Sequence, residues 1–391
     1  MPGHHALVFG ASGITGWSIV DQILKGYPDA NTFDKVTALT NRPLSKEDTL
    51  WPESDKLQLV SGIDLNTDTQ EALDAEMKSK IKDIDTVTEV YFFAYIMDPD
   101  PAKEIAINIK LLERAVVAVE NLSKKLNFVV LPTGTKRYGV HLIDEFPFKN
   151  DLPCKESLPR IPEPYASQMF YYNQIDTLIS LSKGKSWTWC EIIPDVIVGF
   201  VPNNNIYCLA QHLALYLSLY RHLNGEGAEV PFPGTPQSYK ILHNDSFQDE
   251  IAKFSIYASL NGLGNGEGYN TSGSATPHSW SQKWPVICAY FGLKGVDPPA
   301  DGSAPQPYNY VIDHKDEWEK IVKEKGLKGG RVGNDRSFGG FPYFIMTMFN
   351  FDRHVDMSKT LKAWGDKAEE FDIKQSWYTV FDRFRQAKII P

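Results

Sequence analysis

The sequence predicts an α/β fold built on a doubly wound parallel sheet, followed by a mainly helical region. Three observations predict it: a glycine-rich turn directly after an apolar N-terminal strand, apolar runs alternating with helical stretches up to about residue 200, and long aromatic-rich helical stretches after Pro202. Such alternation is typical of parallel sheets. We expect a dinucleotide-binding domain over residues 1–200 and a mainly helical substrate cap over 201–391, with segments around 240–275 returning to the core of the first domain.

The N-terminal turn carries three glycines between a strand and a helix. The apolar strand 6–9 runs into Gly10, Gly13 and Gly16, and the amphipathic stretch 17–24 follows. In a Rossmann-type unit the first glycine allows a tight turn, the second lets phosphates approach the backbone, and the third lets helix pack on strand. The helix N-terminus supplies amide donors for the pyrophosphate. This turn therefore predicts a dinucleotide site.

A second strand, 36–39, follows that helix at the distance a βαβ unit requires, and it ends Thr40-Asn41-Arg42. NAD-specific sites usually place an acidic residue about 20 residues after the glycines, whereas a cation there accommodates a 2′-phosphate. Arg42 is therefore the candidate for the 2′-phosphate, with Asn41 and Thr40 as nearby hydrogen-bonding groups. NADPH is the predicted cofactor. The alternative for Arg42 is a solvated surface arginine.

The remaining elements are predicted from hydrophobic periodicity. Further strands are expected at 57–60, 90–94, 128–131 and 190–198, with a helix at 102–119. Helical stretches at 209–222, 248–258 and 279–291 predict the cap over the carboxyl edge of the sheet. Residues 294–342 are rich in Gly and Pro and are predicted to be an irregular loop.

Composition limits the classes of partner. The chain has 391 residues, is 42% hydrophobic and 23% charged, and carries a net charge of −9, which argues against nucleic acid or an anionic membrane as the main partner. No run approaches the roughly 20 apolar residues that span a bilayer. The first strand starts too early to leave room for a targeting peptide, so a cytoplasmic location is expected. We expect a small-molecule carbonyl substrate as partner and leave a homodimer open.

No metal site is predicted, because the histidines are scattered and the cysteines lack ligand spacing. The four cysteines are expected to be reduced and mostly buried: Cys154, Cys190, Cys208 and Cys288.

A nucleotide-binding sheet with a helical cap suggests the short-chain dehydrogenase/reductase superfamily, in which Tyr and Lys four residues apart on one helix polarise a carbonyl. The only Tyr-x-x-x-Lys match here, Tyr290 to Lys294, lies far beyond the sixth predicted strand and is attributed to chance. The helix before that strand holds Tyr171 and Tyr172 but no lysine. Lys136 instead follows the fifth strand, at the carboxyl edge where substrates bind. Helical aromatic residues more often pack in a core, and Lys136 taken alone could equally be a solvated loop residue.

Five motifs occur in order along the chain: Gly10-x-x-Gly13-x-x-Gly16, Thr133-Gly134-x-Lys136-x-Tyr138, Phe170-Tyr171-Tyr172-x-x-x-Asp176, Pro194-x-x-Ile197-x-Gly199-Phe200-x-Pro202 and Lys388-Ile389-Ile390-Pro391. Together they resemble the plant progesterone 5β-reductase/iridoid synthase-like (PRISE) reductases. The resemblance covers most of the chain and is weakest over 140–165 and 294–350. The sequence departs from the family at three places: Arg137 where His is usual, Ile193 where Arg is usual, and Ile175-Asp176 where Glu-Asp is usual.

The resemblance implies an extended short-chain dehydrogenase/reductase fold and NADPH-dependent 1,4-reduction of an enone or enal. Hydride goes to the β-carbon, and fixed donors stabilise the enolate oxygen. Carried over by motif, Tyr171 is the donor and Lys136 the stabilising cation, with Tyr172 as the rival donor. The substrate expected is a small or terpenoid-, steroid- or polyketide-like carbonyl compound. The cofactor is expected to contact Gly10, Ser12, Gly13, Ile14, Thr15, Gly16, Asn41, Arg42, Asp64, Ala94, Tyr95, Thr133, Gly134, Pro194, Val196 and Ile197.

Other activities remain open at this point. The enzymatic alternatives are plain carbonyl reduction and reductive cyclisation, in which the enolate attacks a second group. An alternative of another class is a non-catalytic dinucleotide-sensing regulator of the NmrA type, against which the presence of Lys136 and Tyr171 argues. Hydrolase chemistry is disfavoured because no Ser/His/Asp arrangement has a supporting strand-to-helix turn.

Overall fold

The computed structural model describes residues 3–205, 207–334 and 339–391. Within these ranges the strands are β1 (His4–Phe9), β2 (Phe33–Thr40), β3 (Leu57–Ser61), β4 (Glu89–Phe92), β5 (Phe128–Pro132), β6 (Thr188–Pro194), β7 (Val196–Val198), β8 (Glu229–Pro231), β9 (Asp245–Phe247), β10 (Glu267–Thr271) and β11 (Lys294–Val296). The helices are α1 (Ile14–Leu24), α2 (Lys46–Thr49), α3 (Gln70–Lys80), α4 (Pro101–Leu122), α5 (Phe170–Ser182), α6 (Leu209–Asn224), α7 (Gln248–Leu260), α8 (Trp280–Tyr290), α9 (Pro307–Asp313), α10 (Lys315–Lys325), α11 (Phe341–Tyr343), α12 (Ser358–Trp364) and α13 (Ile373–Gln386).

The main sheet has seven strands in the order β10-β6-β5-β4-β1-β2-β3, and every pair of neighbours is parallel. Successive side chains of a strand point to opposite faces. In β1, Ala6 and Val8 accordingly join one hydrophobic cluster while Leu7 and Phe9 join the other. Helices α3, α4 and α5 pack together in sequence, and α1 packs on α7. The predicted Rossmann-type fold is confirmed.

Residues beyond 240 contribute to the sheet as well as to the cap. Strand β10 pairs with β6 as the outermost strand, and α7 packs against α1, β5 and β6. Helix α6 packs against α9 and α13, and α13 also packs against α8. Both α6 and α13 contact β7. The C-terminal half is therefore mainly helical, but it also supplies one strand and one helix of the sheet layer.

The prediction of an irregular loop over 294–342 is wrong for part of that segment. Strand β11 and helices α9 and α10 lie within it. The Pro and Gly residues are boundary residues: Pro307 occupies the first turn of α9, where a missing N–H costs nothing, and Gly326 takes a left-handed conformation after α10. Helix α10 buries Trp318 and Ile321. Residues 335–338 of this prediction lie outside the described residues.

Two strand predictions are corrected at their ends. The run 190–198 is two strands, because β6 stops at Pro194 and β7 then pairs with β9 in another sheet. The predicted strand 90–94 ends at Phe92, which leaves the next residues in a loop at the carboxyl edge. All four cysteines are buried and free, as expected. In the described part of the chain, every helix is too short or too polar to cross a bilayer.

Candidate active site

The glycine turn after β1 is tightly packed where the sequence has glycine. Gly10 has φ +74°, and a Cβ there would lie 2.4 Å from the Phe93 carbonyl oxygen and 2.8 Å from the Ala94 nitrogen. A Cβ at Gly16 would lie 2.3 Å from the Gly10 carbonyl oxygen. Gly13 differs, because its backbone is extended and its Cβ would meet only the Gly10 oxygen at 3.2 Å. Backbone packing thus requires glycine at positions 10 and 16. At position 13, the absence of a side chain leaves space in front of the turn.

Helix α1 begins at Ile14 with Gly13 as its N-cap, and no side chain caps it. Backbone N–H groups in the first turn of a helix have no partner within the helix, so those of Ile14, Thr15 and Gly16 can bind an outside acceptor. Ser12 is half-buried in the same turn. The N-terminus of α1 has no side-chain cap and adjoins a turn that has no side chain at Gly13. This arrangement fits a dinucleotide pyrophosphate.

The end of β2 carries the residues predicted to bind the adenosine ribose. Asn41 is exposed and Arg42 is half-buried, and the Arg42 guanidinium donates to the Asn204 carbonyl at 3.2 Å. The Asn204 amide in turn donates to the Gly330 carbonyl at 3.0 Å. Asp64, after β3, is exposed and accepts a hydrogen bond from the Asn66 N–H. Two loops of the C-terminal half therefore reach this end, which no local sequence signal indicates.

The segment Thr133–Tyr138, which we call the lysine loop, follows β5 and contains a 3-10 turn. The Thr133 N–H donates to the Ile192 carbonyl, extending the pairing with β6. A Cβ at Gly134 would lie 3.3 Å from both the Pro194 carbonyl oxygen and the Tyr171 hydroxyl. This glycine therefore lets Tyr171 and the end of β6 approach the loop. The predicted cofactor residues Val196 and Ile197 follow in β7, buried and half-buried respectively.

The two neighbouring tyrosines of α5 have different hydrogen-bonding partners. The buried Tyr172 hydroxyl donates to the Arg137 carbonyl at 2.5 Å and accepts from the Ile161 N–H at 3.0 Å. Within the described residues, the Tyr171 hydroxyl makes no hydrogen bond, and its side chain is half-buried. Burial raises the pKa of Tyr171 well above its ordinary value. Tyr171 therefore keeps its proton at neutral pH and has it available for a ligand.

Lys136 lies at the same edge of the sheet, where its side chain is exposed. Its ammonium nitrogen is 5.8 Å from the centre of the Tyr207 ring. Desolvation by the surrounding protein lowers the pKa of Lys136, an effect that the Glu104 carboxylate opposes. Lys136 thus places its ammonium beside an aromatic ring at the carboxyl edge of the sheet.

Four aromatic residues, which we call the aromatic wall, form a chain of ring contacts beside Lys136 and Tyr171: Tyr95, Phe170, Tyr207 and Phe341. Tyr95 stacks on Phe170 at 5.4 Å and lies 6.2 Å from Tyr207, which contacts Phe341 at 5.4 Å. Phe170 also contacts Tyr171 at 4.5 Å. The Tyr95 hydroxyl donates to Glu104. Tyr207, Phe341 and Glu104 were not identified as site residues from the sequence. The assignment of Tyr95 to the cofactor stays a prediction, and the structure adds that the Tyr95 ring contacts Phe170 and Tyr207.

A cavity of about 620 Å³ lies behind the lysine loop. Arg137, Tyr172 and Glu191 line it, and neither Lys136 nor Tyr171 does. The two candidate catalytic side chains therefore face one side of the loop and helix, while their sequence neighbours face the other.

Comparison with known proteins agrees with this architecture. The family model described as a PRISE-like Rossmann-fold domain matches residues 6–391. The short chain dehydrogenase ausT of Aspergillus calidoustus is 34% identical, with 99% of this chain and 94% of that protein covered. The short chain dehydrogenase sirQ of Leptosphaeria maculans is 32% identical, with 99% and 97% covered.

Among solved structures, Gre2 from Candida albicans aligns with a TM-score of 0.61 at 13% identity, over 98% of this chain and 99% of that one. WbmH of Bordetella bronchiseptica, in complex with NAD⁺, aligns with a TM-score of 0.56 at 16% identity, over 98% of both chains. These likenesses show the fold. The family model and the relatives show more: the chain belongs to the PRISE-like Rossmann-fold family of short-chain dehydrogenases, a class of NAD(P)-dependent oxidoreductases.

Proposed function

We propose that this protein is an NADPH-dependent reductase of activated C=C bonds, acting on an enone or enal. The observation that carries the proposal is the Tyr171 hydroxyl, which lies beside Gly134 of the lysine loop and has no hydrogen-bond partner in the described part of the chain. The neighbouring Tyr172 hydroxyl is hydrogen-bonded to two backbone groups. A proton donor that lies against a loop carrying a cation suits stabilisation of an oxyanion that forms during the reaction.

Bound NADPH supplies the hydride in this scheme. As the β-carbon of the substrate accepts it, the electron pair of the C=C bond shifts and negative charge develops on the carbonyl oxygen. Tyr171 donates a hydrogen bond to that oxygen, and its raised pKa means that it does so without ionising. The Lys136 ammonium stabilises the same charge through space, and a water-derived proton at the α-carbon completes the saturated product.

The aromatic wall supports a neutral, ring-bearing substrate. Aromatic faces offer stacking area of the kind that a steroid-, terpenoid- or polyketide-like ring system fills. Ile96 and Met97, directly after Tyr95, are exposed, although large apolar side chains are more often buried. Together with the wall they favour a substrate without a charged tail, because a charged group would be desolvated against them.

Tyr95→Ala is expected to raise KM for a two-ring enone at least severalfold and KM for 2-cyclohexen-1-one much less, because only the larger substrate reaches the stacked rings. Tyr95→Phe keeps the ring and is the matched control. Steady-state kinetics and a fluorescence titration with NADPH check this. An increase in the Kd of NADPH, with KM for both enones unchanged, would show that Tyr95 contacts the cofactor and not the substrate.

Arg42→Ala is expected to weaken NADPH binding by 10-fold or more, on the order of one charge-assisted bidentate contact, and to leave NADH binding nearly unchanged. Arg42→Lys keeps a positive charge but lacks the planar guanidinium, so its NADPH affinity should lie between that of the wild type and that of Arg42→Ala. Fluorescence titration with both cofactors measures the difference. Equal losses for the two cofactors would remove the guanidinium from the 2′-phosphate site.

The activity itself is tested by following NADPH oxidation with a panel of cyclic and open-chain enones. Turnover of at least one enone to its saturated ketone is expected. An allylic alcohol as product would favour plain carbonyl reduction. Tight NADPH binding without oxidation across the panel would favour a dinucleotide-sensing regulator.

A further inference from the structure

Two buried carboxylates of β6 and its continuation face the back of the lysine loop. Glu191 lies within β6 and is 2% exposed, and Asp195 follows the last residue of that strand and is 9% exposed. Buried carboxylates are rare unless they are paired or hydrogen-bonded, because desolvation is costly. Their partners therefore identify what they hold in place.

Asp195 holds the middle of the loop. Its Oδ1 accepts a hydrogen bond from the Thr135 hydroxyl at 2.9 Å, and its N–H donates to the Ser246 hydroxyl at 2.8 Å. The fully buried Arg353 places its Nε 3.6 Å from Asp195 Oδ2 and so compensates the charge. Thr135 is itself buried, so this contact is shielded from water.

Glu191 holds the loop on either side of that point. Its Oε1 accepts from the Thr133 hydroxyl at 2.5 Å, and its Oε2 pairs with the Arg137 guanidinium. Arg137 stands where the family that the sequence resembles usually has His, so the ion pair with Glu191 depends on one of the departures from the family pattern.

Along the lysine loop, residues that bind the two carboxylates alternate with residues that lie toward Tyr171 and Tyr207. Thr133, Thr135 and Arg137 bind the two carboxylates, whereas the intervening Gly134 contacts Tyr171 and Lys136 approaches Tyr207. A side chain whose two sequence neighbours are both fixed has little backbone freedom left. The backbone from which the Lys136 side chain extends is then fixed from behind the loop.

We propose that Asp195 and Glu191 are positioning residues that fix the lysine loop so that Lys136 stands beside the carbonyl oxygen held by Tyr171. The inference rests on the proposed function, since it assigns the purpose of the anchors to Lys136. Displacement of a catalytic group by about 1 Å can cost on the order of 100-fold in rate. Loss of the Thr135 anchor should therefore lower kcat. It should change NADPH binding little, because Thr135 is not among the expected cofactor contacts.

The test compares Thr135→Val with Thr135→Ser in the full chain, with NADPH and 2-cyclohexen-1-one. Valine matches the shape of threonine without the hydroxyl, whereas serine keeps the bond to Asp195. We expect Thr135→Val to lower kcat by about 10- to 100-fold, Thr135→Ser to stay within about threefold of the wild type, and the Kd of NADPH to change less than twofold in both. Arg137→Gln and Arg137→Lys form a second pair, in which lysine keeps the charge opposite Glu191.

Lys136→Met separates failure of this inference from failure of the proposed function. If Lys136→Met loses activity while Thr135→Val and Arg137→Gln keep the wild-type kcat, the anchors do not position the lysine and the inference is overturned. Equal losses in Thr135→Val and Thr135→Ser would also overturn it, because the hydrogen bond would then be irrelevant. Wild-type kcat in Lys136→Met would overturn the catalytic role of the lysine and the inference with it.

Discussion

Tyr171→Phe is expected to lower kcat for enone reduction by about 10²–10³-fold, the usual cost of removing one donor to a developing oxyanion. The substitution keeps the ring, so the 4.5 Å contact with Phe170 is retained. The hydroxyl has no partner among the described residues, and its loss therefore leaves no protein group unsatisfied. Steady-state kinetics should show the loss in kcat, with an unchanged melting temperature and an unchanged Kd for NADPH.

Tyr172→Phe is the matched control on the same helix. Its hydroxyl bridges the Arg137 carbonyl and the Ile161 N–H, so its removal is expected to destabilise the fold by about 1–3 kcal/mol and to affect kcat much less. Thermal unfolding and kinetics on both variants separate the two roles. A large loss of kcat in Tyr172→Phe together with near-normal kcat in Tyr171→Phe would assign the donor role to Tyr172. Near-normal kcat in both variants would show that neither tyrosine of α5 takes part in the reaction.

Gly13→Val is expected to reduce dinucleotide affinity by at least 100-fold with the fold retained. The backbone at Gly13 is extended, with φ −80° and ψ 171°, which valine adopts readily. The side chain would instead occupy the space in front of the α1 N-terminus, where the pyrophosphate is expected. Fluorescence titration with NADPH measures the affinity, and circular dichroism checks the fold.

Gly13→Ala provides a graded control. A single methyl group meets only the Gly10 carbonyl oxygen at 3.2 Å, so this variant should bind NADPH more weakly than the wild type but better than Gly13→Val. A folded Gly13→Val protein with wild-type affinity would exclude this turn from the cofactor site.

The fold and the glycine turn could be predicted because their signals are local. A strand, a turn and a helix within 20 residues carry both the periodicity and the glycines, and β1 then buries Ala6 and Leu7 on opposite faces as alternation requires. The position of Lys136 at the sheet edge could be predicted because it follows directly after a predicted strand, and ligands bind at the carboxyl ends of such strands. The loop prediction over 294–342 is partly wrong because it rests on the Pro and Gly content of that segment. Pro307 and Gly326 instead mark the ends of helices.

The walls and anchors of the site could not be predicted, because they depend on contacts between distant segments. Tyr207 and Phe341 join the aromatic wall from the C-terminal half, and Arg353 reaches Asp195 across more than 150 residues of chain. The choice between Tyr171 and Tyr172 likewise depends on Ile161 and Arg137, which accept or supply the hydrogen bonds of only one of them. No periodic pattern encodes such partners.

In the proposed reaction, hydride reaches the β-carbon of an enone. Incubating the protein with 2-cyclohexen-1-one and NADPH deuterated at the transferred position, and locating the label by NMR, shows which carbon receives it. We expect cyclohexanone carrying deuterium on the β-carbon, with the label transfer strongly reduced in Tyr171→Phe. Deuterium on the carbonyl carbon of an allylic alcohol, or no label transfer to any enone tested while NADPH still binds, would contradict the proposed reaction.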